Sequence, residues 1–126
     1  MTYSVLIVDD NASLANLYLI VFERAGCQVS QAISGQDALD YLADNVPDVV
    51  LLDVMMPEMD GMEVCRRIRS EWPQPPPSIA IYTANTRPEV RKKCLEAGAD
   101  FFFSKNLSIF ELPDQLAQQL SSDLNR

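Results

Sequence analysis

The stretch VLIVDDN, residues 5–11, is an unbroken apolar run that ends in two carboxylates and an amide. A strand that is apolar at every position is typical of a parallel sheet, because helices cover both faces of such a sheet. The pattern returns at Val49–Leu52, which is followed by Asp53. These two stretches predict buried parallel strands that each end in acidic side chains.

The segments after the strand-like runs carry their apolar residues at helical spacing. The first such segment is followed by Gly26, a residue typical of helix C-termini. Ser34, with Asp37 three residues later, predicts the N-terminus of a second helix. The residues expected on the inner faces of these two helices are Leu14, Leu17, Tyr18, Val21, Phe22, Ala25, Ala38, Leu39 and Leu42.

The second half of the chain repeats the alternation. A third helix is predicted from about Gly61 to Ser70, and a fourth begins near Pro88, whose missing N–H costs little in a first turn, and ends at Gly98. The residues expected to face inward are Met62, Cys65, Ile68, Val90, Cys94 and Ala97. The residues expected to face outward in the third helix are Arg66, Arg67 and Arg69.

The fifth helix has an ambiguous start. Ser108 and Glu111 have the spacing of a capping box, but Pro113 fits poorly inside a helix and favours either a later start or a distorted first turn. The inner face of this helix is expected to carry Leu112, Leu116 and Leu120. The remaining strands are predicted at Gln28–Ala32, Ile79–Tyr82 and Phe101–Phe103.

Five strand-then-helix units in 126 residues predict an α/β fold with a doubly wound parallel sheet, since right-handed crossovers place helices on both faces. The chain is 48% hydrophobic and 22% charged, as ordinary globular proteins are. We find no signal peptide, and no apolar run long enough to cross a bilayer. We therefore expect residues 1–126 to form a single domain.

Charge and residue usage exclude several classes of function. Eighteen acidic against ten basic residues give a net charge of −8, which argues against binding nucleic acid or an anionic membrane. The chain has no histidine, so any phosphohistidine in its chemistry must belong to a partner. Cys27, Cys65 and Cys94 show no CxxC spacing and are interpreted as reduced, largely buried thiols of a cytoplasmic protein.

Polar side chains stand at the carboxyl ends of four predicted strands, where open α/β sheets bind their ligands. Each has a structural explanation by itself, since Asp10 can cap a helix, Thr83 suits a strand and Lys105 can be a solvated surface lysine. Their joint placement indicates a site instead. The side chains expected at this edge are Asp9, Asp10, Asp53, Thr83, Ser104 and Lys105.

Three carboxylates at one edge need a compensating cation. Two such charges about 4 Å apart repel by about 4 kcal/mol at an effective dielectric near 20, and Lys105 can neutralise only one of the three. An oxygen donor set without cysteine or histidine selects a hard cation, and a few carboxylates with water suit Mg²⁺. The sequence therefore predicts a Mg²⁺ pocket beside a lysine, which is suited to holding a phosphoryl group.

Four motifs together resemble the receiver domain of two-component response regulators: Asp9-Asp10, LLDVMMPEMDG at residues 51–61, Thr83-Ala84, and Lys105. The resemblance covers essentially the whole chain. It implies a flavodoxin-like fold with five parallel strands in the order 2-1-3-4-5 and five helices.

The resemblance also implies a role for each matching residue. Asp53 would be the phosphate-accepting aspartate, and Phe102 would be an aromatic switch that moves when Thr83 is drawn toward the phosphoryl group. The implied Mg²⁺ ligands are Asp10, Asp53 and the main-chain carbonyl of Met55, with Asp9 acting indirectly. The implied contacts to the phosphoryl oxygens are the Thr83 hydroxyl, the Ala84 amide and the Lys105 ammonium.

By this resemblance the protein is a phosphorylation-dependent switch rather than an enzyme, with slow self-catalysed loss of the phosphoryl group. The donor would be a sensor histidine kinase or a histidine phosphotransfer protein. A downstream protein would bind the face formed by the fourth helix, fifth strand and fifth helix. We expect a stand-alone cytoplasmic response regulator, monomeric or dimerising on phosphorylation. The alternative is a receiver domain excised from a larger response regulator or a hybrid histidine kinase.

Other functions fit less well. A Mg²⁺-dependent aspartyl-phosphate phosphatase of the haloacid-dehalogenase type needs a second aspartate where this chain has Met55. Neither GxGxxG nor GxxxxGK[ST] is present for nucleotide binding. A flavin carrier would have its phosphate repelled by the clustered carboxylates.

Three further features leave alternatives open. The family usually has proline after the lysine, and Asn106 here leaves the geometry of the Lys105–Asn106 peptide undetermined. The stretch Trp72–Pro77 is either a connector or a polyproline ligand. A basic cluster on the fourth helix is either a solvated face or a docking site for an acidic partner; it comprises Arg87, Arg91, Lys92 and Lys93.

Overall fold

The structure, a computed structural model, describes residues 3–71 and 76–124, with side chains through residue 121. Strands and helices alternate through these ranges, and each predicted element is present with small changes at its ends. The elements are β1 (Ser4–Val8), α1 (Ala12–Arg24), β2 (Gln28–Ala32), α2 (Gly35–Asp44), β3 (Val49–Leu52), α3 (Gly61–Glu71), β4 (Ser78–Thr83), α4 (Pro88–Glu96), β5 (Phe101–Ser104) and α5 (Leu112–Leu124).

The strands form one parallel sheet in the order β2-β1-β3-β4-β5, which confirms the flavodoxin-like, doubly wound fold. Alternate side chains meet α2, α3 and α4 on one face and α1 and α5 on the other. The central strand β3 is buried at every residue because helices cover both of its faces. The winding direction changes between β1 and β3, so a ligand crevice is expected at their carboxyl ends.

The inner faces of α1 and α3 differ from the prediction. Leu17 is 40% exposed and Ala25 lies exposed just beyond α1, whereas Ala15 is fully buried. In α3, Met62 packs only partly against the core and Val64 takes a fully buried position. The apolar spacing marks each helix correctly, but the sheet contacts a narrower stripe than the pattern contains. The buried residues of α1 are Ala15, Tyr18, Val21 and Phe22.

The two predicted capping sites have different outcomes. Ser34 caps α2 as predicted, with its hydroxyl accepting the N–H of Asp37 at 3.0 Å. Ser108 does not cap α5, because its hydroxyl accepts the N–H of Phe110 in a separate turn. The helix begins at Leu112, so Pro113 lies in the first turn, where its missing N–H breaks no helical hydrogen bond. The later start is therefore correct.

Arg69 was predicted to face solvent, and the structure shows instead that its guanidinium binds other parts of the protein. Its guanidinium donates to the carbonyls of Gly98 at 2.8 Å and Pro77 at 3.1 Å, and pairs with the carboxylate of Asp100. Asp100 also accepts the N–H of Ile79 at 2.8 Å. These bonds tie α3 to the amino ends of β4 and β5, at the edge of the sheet opposite the expected crevice.

Three smaller points complete the comparison. Residues 72–75 of the stretch Trp72–Pro77 lie outside the described residues, so both interpretations of that stretch stay open. Within the ranges 3–71 and 76–124, no helix combines the length and the hydropathy that a membrane span needs. Cys27, Cys65 and Cys94 are buried and form no disulfide, as predicted, and burial raises the pKa of Cys65 to about 11.

Candidate functional site

The carboxyl ends of β1 and β3 bring two aspartates side by side. Val8 of β1 is paired with Leu52 of β3, so Asp9 and Asp53 follow in register. Because side chains alternate along a strand, both fall on the side of the sheet that α1 and α5 cover. Asp9 is nearly fully buried, with 3% exposed, and Asp53 is half-buried. The crevice therefore holds two carboxylates at the point where the strand order changes direction.

Lys105 lies between these carboxylates. Its Nζ donates to Oδ2 of Asp53 at 2.9 Å and lies 3.6 Å from Oδ2 of Asp9. Burial by itself lowers the pKa of Lys105, but the hydrogen bond and charge of Asp53 outweigh burial, and the pKa is raised. The lysine therefore carries its positive charge in the crevice across the physiological pH range.

Asp9 is less easily ionised in the crevice than Lys105 is. Burial raises the pKa of Asp9, and the N–H of Asn11, which donates to Oδ1 at 2.9 Å, and the charge of Lys105 act in the opposite direction. The neighbouring charges of Asp53 and Asp10 raise this pKa further. The ionised form of Asp9 is therefore less favourable than that of an exposed aspartate, and a nearby cation favours it.

Two tyrosines that the sequence did not mark as site residues flank the lysine. Lys105 Nζ lies 5.9 Å from the ring centroid of Tyr18 and 5.8 Å from that of Tyr82, and the two rings pack edge to face. The Tyr82 hydroxyl donates to the carbonyl of Leu107 at 2.7 Å, which ties the loop after Lys105 to β4. Tyr82 immediately precedes Thr83, and only that adjacency could have marked it in the sequence.

The predicted metal ligands are not all gathered. Asp10 is exposed, and Met55 is exposed with its N–H donating to Oδ1 of Asp53 at 3.1 Å. Among the residues that the structure describes, no three acidic or cysteine side chains are close enough to share a metal ion. Of the three expected carboxylates, those of Asp9 and Asp53 lie close together, and both are close to the ammonium of Lys105. The ammonium supplies the compensating charge there, while Asp10 remains solvated.

Thr83 ends β4 on the opposite face of the sheet. Its side chain is fully buried, and Oγ1 accepts the N–H of Asn85 at 3.3 Å. Its carbonyl accepts the N–H of Lys105 at 2.9 Å, so the ends of β4 and β5 are joined directly. Ala84 follows and is exposed. Ser104 ends β5, and its hydroxyl accepts the N–H of residue 106 at 3.0 Å.

Phe102 lies on the same face as Thr83. Ile81 is paired with Phe102, so Thr83, two residues further along β4, is a diagonal neighbour on that face. Phe102 is half-buried and packs against the core beneath α4. A displacement of the Thr83 side chain can therefore change the packing of Phe102.

Gly61 is a further residue whose role the sequence did not reveal. A Cβ at this position would lie 2.3 Å from the carbonyl oxygen of Asp53 and 2.9 Å from the Cα of Val54. The Gly61 N–H donates to the Val54 carbonyl at 3.1 Å. The first residue of α3 is thus packed directly on the backbone that carries the Asp53 carboxylate.

Comparison with known proteins supports one family. The family model for the response regulator receiver domain matches residues 5–117. The receiver domain of the Francisella response regulator 1452 is 27% identical over 96% of this chain and 98% of its own, with a TM-score of 0.86. The signal receiver domain of a signal transduction histidine kinase from Syntrophus aciditrophicus is 29% identical over 95% and 91%, with a TM-score of 0.84. A CheY-like receiver domain protein from Methanospirillum hungatei JF-1 shares the fold at 22% identity over 99% and 98%, with a TM-score of 0.88.

Proposed function

Since this chain belongs to the response regulator receiver domain family of two-component signalling, we propose that Asp53 accepts a phosphoryl group from a phosphohistidine of a partner protein. The observation that carries the proposal is the Asp53 carboxylate, held in the crevice by Lys105 at 2.9 Å and beside the buried carboxylate of Asp9. A carboxylate in this position is a nucleophile with a cation already beside it. Residues 1–126 contain no histidine, so the phosphohistidine lies on another domain or protein.

The donor atoms at this edge are of the kind that Mg²⁺ prefers, although Asp10 is exposed and lies outside the pair that Lys105 bridges. They are all oxygens, which hard cations prefer, and Lys105 balances only one of the two charges of Asp9 and Asp53. Asp10, Asp53 and the carbonyl of Met55 would hold the ion, with Asp9 acting indirectly. When bound, Mg²⁺ would neutralise part of the negative charge of the incoming phosphoryl group.

Residues of this chain carry out the phosphoryl transfer and bind the transferred group. An oxygen of Asp53 forms the new bond to phosphorus as the bond from phosphorus to the donor histidine breaks. Lys105 is positioned to neutralise the transferred oxygens, with the rings of Tyr18 and Tyr82 beside its ammonium. The Thr83 hydroxyl and the Ala84 amide complete the set of donors. Water later hydrolyses the acyl phosphate slowly, so the domain regulates rather than turns over a substrate.

The signal leaves the site through Thr83 and Phe102. Phosphorylation draws the Thr83 hydroxyl toward the phosphoryl oxygens, and Phe102 turns inward into the space that Thr83 leaves. This movement changes the face formed by α4, β5 and α5, to which a downstream protein binds. The diagonal placement of the two side chains on one face of the sheet supports this coupling.

We place this switch in the cytoplasm, as a stand-alone response regulator that acts by protein–protein contact, either as a monomer or as a dimer formed on phosphorylation. A second candidate is a receiver domain within a hybrid histidine kinase or a larger response regulator. The likeness to the receiver domain of the Syntrophus histidine kinase supports that candidate. The length of the natural coding sequence distinguishes the two.

Phosphorylation by acetyl phosphate tests the proposal. Incubation with acetyl phosphate and Mg²⁺ should add a single phosphoryl group, detected by intact-mass spectrometry, and Asp53→Asn should abolish it. Asp60→Asn is the matched control, because Asp60 is a half-buried aspartate whose Oδ1 caps the N–H of Glu63. It should be labelled like the wild type. Labelling of Asp53→Asn to the wild-type extent would contradict the role of Asp53, and undiminished labelling in chelator would contradict the role of Mg²⁺.

A further inference from the structure

Arg91 of α4 and Phe102 of β5 are in contact. The guanidinium carbon of Arg91 lies 5.7 Å from the centroid of the Phe102 ring. At this distance the cation is attracted by the negative face of the aromatic ring. Phe102, the residue proposed to move on phosphorylation, therefore already contacts a cationic side chain of α4.

Arg91 differs from the other arginines of the two helices. Among the described side chains, the three arginines of α3 each pair with a carboxylate, and Arg87 lies 3.7 Å from Glu89. No described carboxylate lies within 4.0 Å of Arg91, which is exposed. Its guanidinium instead contacts the ring of Phe102. A guanidinium that is not engaged by a carboxylate keeps its full capacity to bind one.

The two flanks of α4 face different elements. Arg91 lies on the flank next to β5, where it contacts Phe102, and Arg87 is the N-cap residue just before the helix. Lys93 lies on the other flank, where it borders a groove with Met62 and Arg66 of α3. The helix therefore offers a variant that removes a cation without disturbing Phe102.

We propose that Phe102 restrains Arg91 in the unphosphorylated protein, and that the inward movement of Phe102 frees Arg91 to bind a carboxylate in an acidic segment of the downstream partner. This inference rests on the proposed phosphorylation of Asp53. An acidic segment suits the cations Arg91 and Arg87, and the net charge of −8 repels such a segment from the rest of the surface. Charge therefore directs an acidic partner toward α4.

The contact has a predictable effect on the switch. It is made before Phe102 moves and lost afterwards, so it stabilises the unphosphorylated arrangement. Removing it should favour the activated arrangement and strengthen binding of any ligand that selects that arrangement. The usual strength of an exposed cation–π contact corresponds to an increase of about two- to fivefold in affinity.

Beryllofluoride, a phosphoryl mimic, measures this effect. We would titrate it with Mg²⁺ into the wild type, Arg91→Ala and Lys93→Ala, and follow the bound species by fluorine NMR. Arg91→Ala should bind beryllofluoride about two- to fivefold more tightly than the wild type. Lys93→Ala should match the wild type, because its side chain lies on the other flank.

A fluorescent oligoglutamate peptide measures the second effect, with an oligolysine peptide as control. Beryllofluoride should strengthen binding of oligoglutamate to the wild type and to Lys93→Ala, and this gain should be lost in Arg91→Ala. Arg91→Ala should therefore strengthen the binding of beryllofluoride and weaken the binding of oligoglutamate. A substitution that merely damaged the fold would weaken both.

The outcomes separate the two proposals. If the wild type binds beryllofluoride and Arg91→Ala binds it no more tightly, Phe102 does not restrain Arg91, and phosphorylation of Asp53 still stands. If beryllofluoride leaves oligoglutamate binding unchanged in the wild type, or if Arg91→Ala retains the full gain, the acidic-partner inference is wrong. If the wild type binds no beryllofluoride in the presence of Mg²⁺, both proposals fail together.

Discussion

Replacement of Gly61 by alanine should destabilise the protein and slow its phosphorylation. The added Cβ would lie 2.3 Å from the carbonyl oxygen of Asp53, which is about 1 Å closer than ordinary contact allows. The atoms it meets belong to the backbone of Asp53 and Val54, so no side chain can rotate away. Either α3 or the end of β3 must move.

Two effects of opposite sign determine how much Gly61→Ala changes the free energy of unfolding. Alanine is favoured over glycine inside a helix by about 0.8–1.0 kcal/mol, and the backbone of Gly61 has no positive φ that would oppose the change. Overpacking of a rigid site costs about 1–3 kcal/mol, and the first turn of a helix gains less than its interior from alanine. We therefore expect a net loss of about 1–2 kcal/mol in the free energy of unfolding. A shift of the Asp53 carboxylate by about 1 Å should slow phosphoryl transfer by about 100-fold.

Urea unfolding and the rate of labelling by acetyl phosphate provide the measurements, and Gly35→Ala provides the control. A Cβ at Gly35 would meet Cγ2 of Val64 at 2.8 Å and Cβ and Cγ of Met59 at 3.0 Å, contacts that are less close than the one at Gly61 and involve no backbone atom of Asp53. This control should lose less stability than Gly61→Ala and be labelled at the wild-type rate. The reasoning is refuted if Gly61→Ala unfolds at the same or a higher urea concentration than the wild type, or if both variants lose equal activity.

Two further predictions concern Lys105. Tyr82→Phe keeps the ring beside the ammonium but removes the hydrogen bond to Leu107, so it should cost about 0.5–1.5 kcal/mol in urea unfolding and slow labelling by acetyl phosphate. Tyr41→Phe, which removes a hydroxyl contact far from the crevice, should cost similar stability and leave the rate unchanged; equal rates in both variants would contradict the positioning role. The pKa of Lys105 is raised above its ordinary value of 10.5, so its pairing with the ionised Asp53 carboxylate stabilises the fold from neutral pH up to that value, and this contribution is lost as the pH rises through the raised pKa. Urea unfolding across a pH series should show the wild type keeping its advantage over Lys105→Met up to about pH 10.5; an advantage lost near pH 8 would contradict the ion pair.

The sequence predicted what depends on near neighbours along the chain. The apolar run at residues 5–8 requires burial on two faces, which a parallel sheet with helices on both sides provides. Ser34 caps α2 because its hydroxyl reaches an N–H three residues away. The placement of Asp53 at the end of a strand follows from the same local pattern.

Exposure within a helix was less predictable. Leu17 has the spacing of a buried residue, yet it is exposed because the sheet and the neighbouring helices cover only part of the apolar stripe of α1. Arg69 has the character of a solvated residue, yet its long side chain reaches carbonyls at the ends of two strands. In both cases the deciding contacts come from other elements of the fold.

The sequence by itself determined the order of the elements, the parallel sheet and the polar residues at the strand ends, because hydrophobic period and helix capping act over a few residues. Only the tertiary structure decided that Lys105 bridges Asp9 and Asp53, that two tyrosines enclose its ammonium, and that Gly61 packs on the Asp53 backbone. Lys105 and Asp53 are separated by 52 positions. Contacts over such separations depend on strand register and on which side of the sheet each side chain falls, and both are set only when the whole sheet is assembled.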